Sequence, residues 1–148
     1  MTPRDLSVLD WTEKLVEFEA LAPVTQDMLI AYAAASGDSN TIHLDEAIAR
    51  KMGLPGVIAH GMLVAAWVAD RGLLWVHQQG LQCPLVSSQY RFRGMTVLGE
   101  VLSVGGKATL STPKLAATSL GKLLTLDLEA KGTGGAVKVT GRLVFRLH

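Results

Sequence analysis

An α+β fold, in which an antiparallel sheet wraps one long central helix, is predicted by three features of this 148-residue chain. From about Gly61 to Gln79 the residues are helix formers, apolar on almost every side, which is the pattern of a helix enclosed by protein. β-favouring stretches separated by glycine-containing turns follow it. Before it lie one alternating stretch, one amphipathic helix and a turn-rich excursion. One early strand, a buried helix and a late run of strands make an α+β arrangement.

Lys14 to Leu21 alternates, with Val16, Phe18 and Ala20 on one side and Leu15, Glu17 and Glu19 on the other, and predicts a strand ended by Pro23. Thr25 suits the N-cap of a helix over Gln26 to Ala35, with Asp27 in its first turn and Met28, Leu29, Tyr32 and Ala33 as its apolar stripe, stopped by Gly37. Ser36 to Asn40 is five turn formers in a row. Asp45 caps a short helix, Glu46 to Met52, and Pro55-Gly56 turns the chain toward the long helix. Within that helix Met62, Leu63, Trp67 and Trp75 are assigned to the core, and Asp70-Arg71 marks the side that reaches polar surroundings. Strands are predicted at Val86 to Phe92, Glu100 to Val104, Leu120 to Ala130 and Ala136 to Leu147. Gly94, Gly99, Gly105-Gly106 and Gly132 to Gly135 are the breaks between them, and Gly134-Gly135 is a hairpin turn. Thr112-Pro113-Lys114 leaves the pairing of the intervening region open.

Length fits a single domain over residues 1–148. Hydrophobic residues make up 49% and charged residues 18%, with a mean hydropathy of +0.30. That is apolar for a small monomer and predicts a further face hidden between subunits, in a homodimer or higher homo-oligomer. A net charge of +1, without an aromatic-basic stripe, argues against a nucleic-acid partner. The lone Cys83 excludes an intrachain disulfide and a cysteine-rich metal site. Met1 to Asp5 lacks a secretory pattern, and Asp70 and Arg71 interrupt the longest apolar run, so a cytoplasmic protein with no membrane segment is expected.

Ser36 to Leu63 carries the candidate chemistry. Asp38 and His43 supply an acid and a base five positions apart; equally, such an Asp can close a turn and such a His can be structural. Asn40 either contacts a ligand or shapes the turn, and Ser36 belongs to the same loop. Gly61, if it starts the long helix, offers a free N–H at the positive end of the macrodipole, where an oxygen gaining charge is stabilised; the alternative is a close-packing glycine. His60 can reach the site, or cap and pack. Arg91 and Arg93 share one strand face, either solvated or available to a phosphate, with Tyr90 and Phe92 on the other. No nucleophile elbow, phosphate loop or metal-binding motif is present.

The run Ser-Gly-Asp-Ser-Asn-Thr-Ile-His-Leu-Asp from Ser36 to Asp45, followed by Ala-His-Gly-Met-Leu from Ala59 to Leu63, resembles the MaoC-like (R)-specific enoyl-thioester hydratases. Tyr90 to Arg93 and Val97-Leu98-Gly99-Glu100 are similar to a later segment of that family. The resemblance implies a hot-dog fold, usually paired into dimers, with Asp38 and His43 as the catalytic pair, Asn40 in support and the Gly61 N–H on the thioester carbonyl. It implies interconversion of trans-2-enoyl and (R)-3-hydroxyacyl thioesters, with no cofactor or metal beyond the coenzyme A or phosphopantetheine carried by the substrate. Hot-dog thioesterases and non-catalytic subunits of heteromeric dehydratases are the alternatives. Thr41 stands where the family usually has proline.

Overall fold

The computed structural model describes residues 11–112 and 121–147. Five strands, β1 (Glu13–Ala20), β2 (Leu85–Phe92), β3 (Ser103–Ser111), β4 (Leu123–Lys131) and β5 (Val137–Arg146), form one antiparallel sheet in the order β1-β3-β4-β5-β2. Helices α1 (Gln26–Ser36), α2 (Glu46–Lys51) and α3 (Gly61–Gln78) all lie between β1 and β2 in sequence. The expected break Thr112-Pro113-Lys114 and the expected strand start Leu120 fall at or outside the limits of the described residues.

The core forms where α3 lies on the sheet. Leu124, Leu126, Leu128 and Ala130 alternate inward along β4, beside Val139, Leu143 and Phe145 of β5. Val64, Ala65, Val68, Trp75 and Val76 of α3 meet them, and Gly72 keeps the helix close, since a Cβ there would collide with a methyl group of Leu143 and crowd one of Leu128. α3 is not enclosed on every side within the chain. Met62 is 56% exposed, and Leu73 and Leu74 are also exposed, so the assignment of Met62 to the core is corrected.

Further expectations change, because the partners that decide them are met only on folding. Gly105-Gly106 does not separate strands: β3 runs through it, with Gly105 opposite Glu129 and Gly106 opposite Leu128. Glycine is required there because the register of β1 shifts between Val16 and Glu19, setting Glu17 and Phe18 against Gly105. A Cβ on Gly105 would come within 2.7 Å of the Phe18 backbone. The same bulge breaks the predicted alternation, leaving Val16 buried and Phe18 exposed under the Lys131 ammonium, 4.5 Å from the ring centre. Arg71 turns inward instead of reaching water. It is 5% exposed and donates to the Glu17 carbonyl (2.8 Å) and Glu19 Oε1 (3.0 Å), tying the bulge to α3.

Glu100, predicted to open a strand, closes a turn before β3. Its Oε2 accepts the Val97 N–H (3.1 Å) and its Oε1 pairs with Lys138 Nζ (3.0 Å), the two side chains being 8% and 16% exposed. This turn pairs with the approach to α3: Ala59 N–H donates to Thr96 C=O (2.8 Å) and Leu98 N–H to Val57 C=O (3.1 Å). Because removing one partner strands the other charge, Glu100→Ala is expected to cost about 3 kcal/mol of stability in urea unfolding. A loss below about 0.5 kcal/mol would mean that the pair behaves as a surface salt bridge.

Candidate active site

Three loops converge at the N-terminus of α3. The first follows α1, whose Gly37 cap adopts φ 79°. From there every second side chain holds the backbone two residues on. Ser36 Oγ accepts the Asp38 N–H (3.2 Å), Asp38 Oδ1 the Asn40 N–H (3.3 Å) and Asn40 Oδ1 the Ile42 N–H (3.2 Å). Ser36 Oγ also donates to Tyr32 C=O (2.7 Å). The spacing Ser-x-Asp-x-Asn is thus a ladder of side-chain turns, ending in a short 3₁₀ turn, Thr41–His43, that carries His43 inward. Of the alternatives left open for Asp38, the turn-closing one is met: one carboxylate oxygen braces the turn while the side chain stays exposed.

His43 is 8% exposed, and its Nδ1 lies 2.7 Å from Ile58 C=O. A carbonyl only accepts, so Nδ1 carries the hydrogen and Nε2 is the ring nitrogen left to exchange a proton. The His60 ring stacks on His43, with centroids 3.9 Å apart and planes 28° apart, and its other neighbour is Tyr32, at 4.9 Å. His60 is 1% exposed, and its Nε2 lies 3.0 Å from Asp38 C=O. A carboxylate oxygen of Asp38 and ring nitrogens of His43 and His60 all fall within 4.8 Å of one another. Stacked rings direct their lone pairs side by side rather than at one point, a poor match to in-plane metal–nitrogen bonds of about 2.0–2.1 Å.

Gly61 begins α3, so its N–H has no intrahelical acceptor and lies at the positive end of the helix. The absence of a side chain also has a steric reason, since a Cβ would stand 3.1 Å from the Phe92 ring. Asp38, Asn40, Ser36, His43, His60 and Gly61 are therefore gathered in one place. Arg91 and Arg93 are not. They line a hollow on the outer face of the sheet with Gln89, Lys107, Thr140 and Arg142, whereas Phe92 of the same strand faces Gly61. Strand parity thus puts the two arginines on the face opposite Gly61, apart from the gathered residues. Cys83 stays outside the chemistry, its thiol pushed up by burial.

The pattern of the MaoC like domain matches residues 10–113. The chain belongs to the MaoC-like family. It is 34% identical over 117 residues to the (R)-specific enoyl-CoA hydratase of Aeromonas caviae, covering 79% of this chain and 81% of that one. It is 38% identical over 93 residues, 63% of its length, to fatty acid synthase subunit beta of Gibberella zeae, of which it spans only 4%. The solved (R)-hydratase from A. caviae superposes with a TM-score of 0.70 at 25% identity, over 91% of this chain and 97% of that one, giving a hot-dog fold. In the MaoC-like chain, no described helix is long and apolar enough to cross a membrane.

One further residue positions the site without a motif of its own in the sequence. Glu46, in the first turn of α2, accepts the Val57 N–H at Oε2 (2.9 Å) and pairs with Arg50 at Oε1 (2.7 Å), pinning the loop that delivers His60 and Gly61. The only available signal was its place four residues before Arg50, which reads as an ordinary helix-surface pair. The Val57 N–H, and then Arg50, hold the Glu46 carboxyl below its ordinary 4.5 against partial desolvation. A lowered carboxyl stabilises the fold above its unfolded value and loses that contribution as pH falls through the folded value. Glu46→Gln is accordingly expected to be less stable than wild type at neutral pH, with the two urea midpoints converging on acidification below 4.5. A gap that stays constant from about pH 7 to pH 3 would contradict this linkage.

Proposed function

We propose that the MaoC-like chain is a hydratase/dehydratase that interconverts trans-2-enoyl and (R)-3-hydroxyacyl thioesters. The observation that carries this reading is the approach of an Asp38 oxygen and a His43 ring nitrogen, within 4.8 Å, beside the free N-terminus of α3. That separation suits one water held between an acid and a base. The thioester carbonyl binds the Gly61 N–H, where the helix terminus stabilises the enolate charge that builds as C3 is attacked. His43 takes a proton from the water through Nε2, and Asp38, with one oxygen occupied by the Asn40 N–H, orients that water through the other. Hydroxide adds to C3 and a proton is delivered to C2; dehydration reverses both steps. Coenzyme A or phosphopantetheine enters only as part of the substrate, and the reaction calls for no further cofactor or metal.

The working form is a homodimer. Met62, Leu73 and Leu74 of α3 leave an apolar face uncovered, and the edge strand β2 exposes Leu85, Val86 and Phe92 beside unpaired backbone. Light scattering of the purified chain should give twice the 15.8 kDa of one subunit; a monomer at micromolar concentration would overturn the assignment.

Asp38→Asn and His43→Ala should each lower hydration of a short trans-2-enoyl-CoA by about 100-fold or more, measured as loss of the enoyl absorbance. Activity near wild type in both variants would refute the assigned roles.

A further inference from the structure

We infer that His60 is a positioning residue that fastens the Asp38 loop to the start of α3, so that the proton-transfer pair and the carbonyl-binding N–H are held by one residue. The inference rests on the hydratase reading for its kinetic consequence, but not for its structural content.

His60 precedes α3 and occupies its N-cap, yet its side chain makes no capping bond. Its backbone does that work: the His60 carbonyl accepts from the N–H groups of Leu63 (3.1 Å) and Val64 (3.3 Å), which sets where Gly61 stands. The side chain instead reaches back 22 positions to Asp38 C=O. Since that oxygen can only accept, Nε2 carries the hydrogen, and Nδ1 is a buried lone pair without a partner among the described residues. A histidine serving only to fill space would not leave one nitrogen unsatisfied while spending the other on a loop carbonyl. The ring is further clamped between Tyr32, in the second half of α1, and His43 itself. Asp38, Gly61 and His43 therefore each have their position set by a different part of one residue: its ring N–H, its backbone and its ring face.

Three measurements test this. Long-range proton–nitrogen NMR of the wild-type protein should show His60 as the Nε2–H tautomer, in substrate-free protein and without any turnover. His60→Phe keeps a flat ring between Tyr32 and His43 but removes the donor, and should raise exchange of the Asn40 and Ile42 amides about tenfold. It should lower kcat about 10- to 100-fold with KM within about twofold, as expected when a reacting group is displaced rather than removed. His60→Gln, whose amide N–H can take the place of Nε2–H, should restore kcat to within about threefold of wild type. An Nδ1–H tautomer, unchanged amide exchange in His60→Phe, or equal kcat losses in His60→Phe and His60→Gln would overturn the inference. If His60→Phe does not fold, the wild-type tautomer and the His60→Gln kinetics still decide. Wild-type protein inactive on enoyl thioesters, yet showing the predicted tautomer and exchange, would refute the hydratase reading and leave the fastening role intact.

Discussion

The proposed site depends most on the bond between a buried ring and a loop carbonyl, His60 Nε2–H to Asp38 C=O at 3.0 Å. Proton transfer beside a polarised carbonyl needs groups on two separate pieces of chain to stay in register to a fraction of an ångström. Here one piece is a loop after α1 and the other is the first turn of α3. Loops alone are poor at such precision, and the remaining contacts serve to stiffen both sides of that bond. The side-chain ladder Ser36–Asp38–Asn40 stiffens the loop. Glu46, the Val57–Ala59 pairing with Thr96 and Leu98, and the buried Glu100–Lys138 pair stiffen the approach to the helix.

Behind this, the hot-dog architecture supplies a rigid backstop. α3 lies on β4 and β5 through a close-packed layer of Leu, Val and Phe, and Gly72 permits the approach. A helix so held does not drift, and the direction of its N-terminal N–H groups is set by the sheet. The cost of the design is an apolar face on α3 and an open edge at β2, both of which a second subunit would cover.

Much of this was legible in the chain, and the pattern of what was not is physical. Thr25, Gly37 and Asp45 announced helix ends because capping is local chemistry, and each acts as expected. The β4 alternation and the Gly134-Gly135 turn, with φ of 82° and 84°, were likewise local. Gly105-Gly106 misled because a glycine demanded by a partner strand's bulge looks the same as a glycine that ends a strand. Arg71 and Glu100 misled because their partners, Glu19 and Lys138, lie 52 and 38 positions away in sequence and are met only on folding. In the site, the turn-shaping roles of Asp38 and Asn40 were legible as alternatives, while their joining with Ser36 into one hydrogen-bond ladder was not. The hydratase resemblance pointed to residues that the fold brings close together, while the placement of Arg91 and Arg93 followed from strand parity, which faces them away from Gly61.

The central claim is that one water, held by Asp38 and His43, adds across a double bond whose thioester carbonyl rests on Gly61. The most direct measurement is to incubate the purified chain with trans-2-butenoyl-CoA in deuterium oxide and analyse the product by chiral chromatography and mass spectrometry. (R)-3-hydroxybutyryl-CoA carrying a single deuterium at C2 is the predicted product. Release of free coenzyme A thiol, formation of the (S) product, or no conversion at all would contradict the claim.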